Sequence, residues 1–200
     1  MKIARREAFV FLAVMLGIID VDARSTGAPV GSNPEICDTM IPGHGIPAQD
    51  TKSPFSIIPA KMKYMPGKKF SVTINATQSQ QFKGIFMQMR RNDTDAIVGT
   101  WSVMDADKFK TVSCAGVEDN AVTHVDKTMK GTVNKFMWTP PKDFDDAVYV
   151  AATFVESYSS YWVKQTSSTI SADTKLTSSL VLTFVMISIS LSTTFLGLEF

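Results

Sequence analysis

The chain has 200 residues, 20 of them basic and 19 acidic, with 44% hydrophobic residues and only two cysteines. So even a charge balance provides no overall field to gather nucleic acid, which is not expected as a partner. It contains no Cys-x-x-Cys pair, no His-Glu-x-x-His helix and no glycine-rich phosphate loop, so no metal, nucleotide or other cofactor is expected.

Lys2, Arg5 and Arg6 precede an apolar run from Ala8 to Ile19. That run is too short for a bilayer, which takes about 20 residues. Val21-Asp22-Ala23 offers the small residues a signal peptidase needs, so residues 1–23 are predicted as a signal peptide. Residues 24–165 follow as one domain. Pro29, Pro34, Pro42, Pro47, Pro54 and Pro59 exclude a regular helix between Arg24 and Met62. This leader should be coil with short extended pieces, and Tyr64-Met65-Pro66-Gly67 is a turn signal.

Strands dominate the remainder. Phe70, Val72 and Ile74 alternate with polar residues, the period of a half-buried strand. Phe82 to Arg91 places Ile85, Met87 and Met89 on one face and Phe86, Gln88 and Arg90 on the other. Ile97 to Met104, Val112 to Cys114 and Lys130 to Trp138 are further strands. Ala147 to Val155 is β-branched, aromatic and short enough to be a buried strand. It is expected to pair with the strand ending at Trp138, across a loop from Pro140 to Asp146. The set predicts an all-β, antiparallel β-sandwich of about seven to nine strands.

Ser157 to Ser179 is rich in serine and threonine, and residues 166–179 are assigned to a stalk. Residues 180–200 form a hydrophobic tail with no basic flank. With the small residues at Ser171-Ala172-Asp173, this fits a glycolipid-anchor signal attached at Ser171; a spanning helix is the alternative. Either one would attach the protein to a membrane through its C-terminus.

In a secreted chain two cysteines most simply form a disulfide, here Cys37 with Cys114. Closing so long a loop should stabilise the fold by about 4 kcal/mol. Asn75 and Asn92 begin glycosylation sequons. Nothing marks a catalytic residue, because no Gly-x-Ser-x-Gly elbow accompanies the two histidines. The disulfide would bring the loops of His44 and His124 towards each other. Metal binding there with Asp38 or Asp126 is one reading, and hydrogen-bonded turn caps are the other. Lys68-Lys69 and Arg90-Arg91 are the candidate basic pairs for a glycan.

Several short motifs occur in a consistent order. They are Cys37, Pro42-Gly43-His44-Gly45, Tyr64-Met65-Pro66-Gly67, Phe82-Lys83-Gly84, Gly99-Thr100-Trp101, Cys114, Thr123-His124, Trp138-Thr139-Pro140-Pro141, Ala151-Ala152-Thr153 and Tyr161-Trp162. Together they resemble the reeler (reelin-type) domain over roughly Ile36 to Trp162. The resemblance implies an immunoglobulin-like sandwich with a disulfide, and no enzymatic activity. Stand-alone members resemble insect defence proteins induced by microbial challenge; others precede matrix proteins or haem-binding ferric reductases. The expectation is therefore an extracellular or cell-surface protein that recognises a microbial surface or an extracellular glycan or protein. Its binding loops would hold His44, His124, Arg90 and Arg91. The alternative is an adhesion module.

Overall fold

A computed structural model describes residues 26–77 and 80–173. The predicted signal peptide and hydrophobic tail lie outside them. One helical turn, α1 (Ile36–Thr39), stands in the leader, where the sequence suggested only loop. Met40 closes it in the left-handed conformation, φ 57°. The leader continues into β1 (Phe55–Pro59) and β2 (Lys63–Tyr64). Then come β3 (Phe70–Ala76), β4 (Gly84–Arg91), β5 (Thr100–Val103), β6 (Phe109–Cys114) and β7 (Val117–His124). The last four are β8 (Val133–Thr139), β9 (Val148–Val155), β10 (Tyr161–Thr166) and β11 (Ser171–Ala172).

Nine of these strands make the sandwich. One sheet runs β1-β3-β8-β5 and the other β10-β9-β4-β7-β6, while β11 pairs in parallel with β2. The expected pairing of the Trp138 strand with Ala147–Val155 is therefore corrected: β8 and β9 belong to opposite sheets. Pro140 and Pro141, which cannot continue a ladder, are where the chain leaves β8 to cross over. Period-2 alternation does appear in β3, where Phe70, Val72, Ile74 and Ala76 face the core. Gly99 precedes β5 at φ +71°, and a Cβ there would lie 2.3 Å from Trp138 Nε1, so only glycine fits.

Two strands of the sandwich were not anticipated. β7 begins with exposed Val117, Glu118 and Asp119, which mask its buried second half. Its hairpin with β6 turns through Ala115 and Gly116, both at positive φ, the geometry of a type I′ turn without the usual asparagine. β10 lies in the serine-rich piece, anchored by buried Tyr161 and Trp162.

The predicted stalk also needs correcting over its first half. Ile170 is fully buried, and it exchanges backbone hydrogen bonds with Val148 at 2.7 and 2.9 Å. Ser171 pairs with Lys63 and Ala172 with Tyr64. The segment up to Asp173 thus closes the fold, because an apolar side chain at position 170 has a core to enter.

The five-stranded sheet is covered on both faces. Ile85, Met87 and Met89 of β4, with Val148, Val150, Ala152 and Phe154 of β9, pack against the other sheet. On the outer face, Phe86, Ala121 and Ala151 pack against Ile36, Cys37 and Met40 of the leader. Ala121 and Ala151 are the register partners of Gln88 on either side, and these small residues let the leader approach closely. The predicted disulfide joins Cys37 and Cys114 with Cα atoms 5.7 Å apart, closing a loop of 77 residues.

Candidate functional site

The leader is pinned to the outer face of the five-stranded sheet at two places, and a pocket lies between them. At the first, the Ala28 N–H donates to Thr123 Oγ1 (2.8 Å), which donates to the Ile85 carbonyl (2.9 Å). Gly27 lies against β7 so closely that a Cβ would be 2.7 Å from the His124 carbonyl. At the second, Thr153 Oγ1 donates to the Met40 carbonyl at 2.8 Å. The pocket between them has a volume of about 540 Å³. That is within the range of small-ligand sites, about 300 to 1,000 Å³.

Both histidines line it, one at each end of the leader's crossing. His44 is 9% exposed. Its Nδ1–H donates to the Tyr158 carbonyl at 2.8 Å, and its ring stacks on Tyr158 and meets the edge of Tyr161. The Tyr158 hydroxyl returns a bond of 2.5 Å to the His44 carbonyl. Burial lowers the His44 pKa against the raising effect of that carbonyl, so the ring is held neutral at physiological pH. His124 Nδ1 accepts the Ile85 N–H at 3.2 Å, and its ring packs against Gly84.

The two histidines have separate partners, Tyr158 for one and Ile85 for the other. Asp126, whose carboxyl is held down at about 2 by hydrogen bonds from Thr128 and Lys130, is committed to those partners. Among the described residues no group of three or more His, Cys, Asp or Glu is arranged to hold a metal.

Cationic groups at the pocket were missed. Lys83 and Lys127 both line it and both are exposed. Their backbone is organised by Lys130, a fully buried side chain. Lys130 Nζ donates to the Lys83 carbonyl (2.9 Å), the Thr128 carbonyl (2.8 Å), Asp126 Oδ1 (2.9 Å) and the Asp126 carbonyl. No sequence signal links Lys83 to Lys127, because tertiary structure alone brings their segments together.

Arg90 is not a surface binding residue, which corrects its place in the basic pair. It lies inside β4, 2% exposed, and its guanidinium donates to the Cys37 carbonyl (2.5 Å), the Asp38 carbonyl (3.3 Å), Gln88 Oε1 (2.7 Å) and Asp95 Oδ2 (3.0 Å). It anchors the leader next to the disulfide. Burial works to raise the Asp95 carboxyl, but bonds from Lys164 and Tyr149 and the charge of Arg90 outweigh this and leave it lowered. Arg91 is half-buried, paired with Asp93 (3.0 Å) and Asp146 (2.9 Å). Of the sequon residues, Asn92 is exposed in the β4–β5 turn and Asn75 is half-buried on the outer face of β3. Ser171 sits in the β11–β2 ladder.

Comparison with known proteins agrees with this architecture. The model of the Reeler domain family matches residues 35–178. The chain belongs to the reeler family. "Putative defense protein Hdd11-like" of Samia ricini is 33% identical over 152 residues, covering 74% of this chain and 90% of that protein. "Putative defense protein 3" of Antheraea mylitta is 35% identical, covering 76% and 90%. "Putative ferric-chelate reductase 1" of Danio rerio is 30% identical over 68% of this chain, but the match takes in only 23% of that protein. The crystal structure of the human F-spondin reeler domain superposes with a TM-score of 0.52 at 20% identity, over 64% of this chain and 94% of that one. This reeler domain thus shares its sandwich fold. Among the described residues no helix is long and apolar enough to cross a membrane.

Proposed function

We propose that this reeler domain is an extracellular, non-enzymatic recognition module of the defence response, and that it binds a component of microbial surfaces in the pocket under the leader. One observation carries this reading: a pocket of ligand size, walled by Pro29, Pro42, Phe86 and Val155 and provided with a few polar groups. Similarity to named defence proteins over most of their length supports the biological setting. A disulfide that ties down the pocket's leader suits an oxidising, extracellular compartment. Adhesion through the Arg90-Arg91 pair is less well supported, since one arginine is buried and the other ion-paired.

The test is binding of the purified, secreted protein to bacterial cells, in parallel with a Ser32→Trp variant. Ser32 is exposed at the pocket lining, so the indole fills the opening without entering the core. The expected result is sedimentation of the protein with cells and at least a tenfold loss in the variant. Equal retention of both proteins, or none of either, overturns the reading.

A further inference from the structure

The chemistry of the pocket narrows what it accepts. Ile36, Phe86, Val155 and the leader prolines give it apolar surface, among polar groups such as Asn33, Thr153 and Ser157. The rim is cationic. Lys83 and Lys127, like most of the lysines among the described residues, have no ion pair, so their charge is not cancelled locally. Among the described residues no carboxylate lines the pocket. The nearby Asp126 is turned to Lys130, inside the loop that presents Lys127. Two exposed lysines on a pocket that also offers apolar surface are complementary to a molecule that is apolar over its length and anionic at one end.

We infer that the pocket binds a single-chain anionic amphiphile, its aliphatic chain against Ile36, Phe86 and Val155 and its carboxylate or phosphate between Lys83 and Lys127. This rests on the pocket being the recognition site and supplies the ligand class. The lysines select by charge, so an alcohol of the same chain length loses the headgroup contacts, and a cationic head is repelled. His44, uncharged and engaged with Tyr158, lines the pocket without adding a third cation.

Calorimetric titration of the full secreted protein with decanoate, decyl phosphate, decanol and decyltrimethylammonium tests this. At least one anion should bind with 1:1 stoichiometry and at least tenfold more tightly than decanol, with no saturable binding of the cation. A carboxylate preference points to fatty acids and a phosphate preference to phospholipid-derived ligands; both support the inference. The Lys83→Ala/Lys127→Ala variant should bind the anion no better than the alcohol, and Ser32→Trp should bind neither. Both variants alter exposed residues, and an unchanged melting curve shows that they fold. Equal affinity for anion and alcohol, no binding of either anion, or anion binding that survives Ser32→Trp overturns the inference. If the anions fail to bind while bacteria still retain the protein through a Ser32-sensitive site, the ligand class alone is wrong. If they bind but bacteria do not retain the protein, the defence reading fails and the ligand class stands.

Discussion

His44 shows how one side chain serves both the fold and the pocket. Its Nδ1–H and its own backbone carbonyl are both bonded to Tyr158, so a leader residue is tied to the β9–β10 turn 114 positions away. Its pKa lies below the ordinary value of 6.5 because burial penalises the charged ring. The unfolded chain therefore binds the proton more readily, and folding stability rises with pH through this region. The stabilisation is complete above about pH 6.5 and declines as pH falls below that value. Thermal melts should show a larger loss of Tm between pH 7.5 and pH 5 in the wild type than in His44→Phe, which keeps an aromatic ring but cannot titrate. Identical pH dependence would mean that the ring carries its charge at no cost. Arg90 illustrates what cannot be seen in a sequence at this scale. A basic pair in a linear chain looks like surface, and only the tertiary structure reveals that carbonyls of the leader, 52 and 53 residues earlier, surround the guanidinium.

At the scale of elements, the strands with strong alternation or β-branched runs, β3, β4 and β9, were legible because their patterns follow from facing a core. β7 and β10 were not, since their burial comes from neighbours in the sheet and is hidden by Glu118-Asp119 in one and a serine-rich approach in the other. The same weakness affected the segment after β10. Polar composition suggested a stalk, yet Ile170 is a buried side chain bridged to Val148. Ile170→Ala should therefore destabilise the domain by about 2–4 kcal/mol, the usual cost of deleting a buried isoleucine. An unfolding free energy from denaturant melts within about 0.5 kcal/mol of the wild type, as expected for an exposed linker position, would return this segment to a stalk.

At the scale of the whole molecule, the described residues form two apolar clusters with different origins. The larger lies between the sheets and is built mostly by strand residues, with Phe82 and Ile170 joining from outside the strands. The smaller exists only while the leader rests on the outer face of the five-stranded sheet, and it contains both cysteines. The pocket is part of this second arrangement, between the leader's attachments at Ala28 and Met40. The histidines could be suspected of meeting because the cysteines suggested the cross-link, whereas the lysine rim could not, because Lys130 builds it from loops with no covalent tie. Replacing both cysteines by alanine frees a loop of 77 residues and should cost about 4 kcal/mol. The loss should not be uniform. Non-covalent contacts must then hold α1 in place, chiefly the bonds from Arg90 and Thr153 and the packing of Ile36 and Met40, while every ladder of the sandwich remains. Hydrogen exchange should show the amides of Cys37→Ala, Met40 and His44 opening well before those of β3, β4, β8 and β9, and binding in the pocket should weaken in parallel with that opening. If the leader and the sandwich strands instead exchange together, the leader is part of one cooperative unit and the pocket is as rigid as the sheet beneath it.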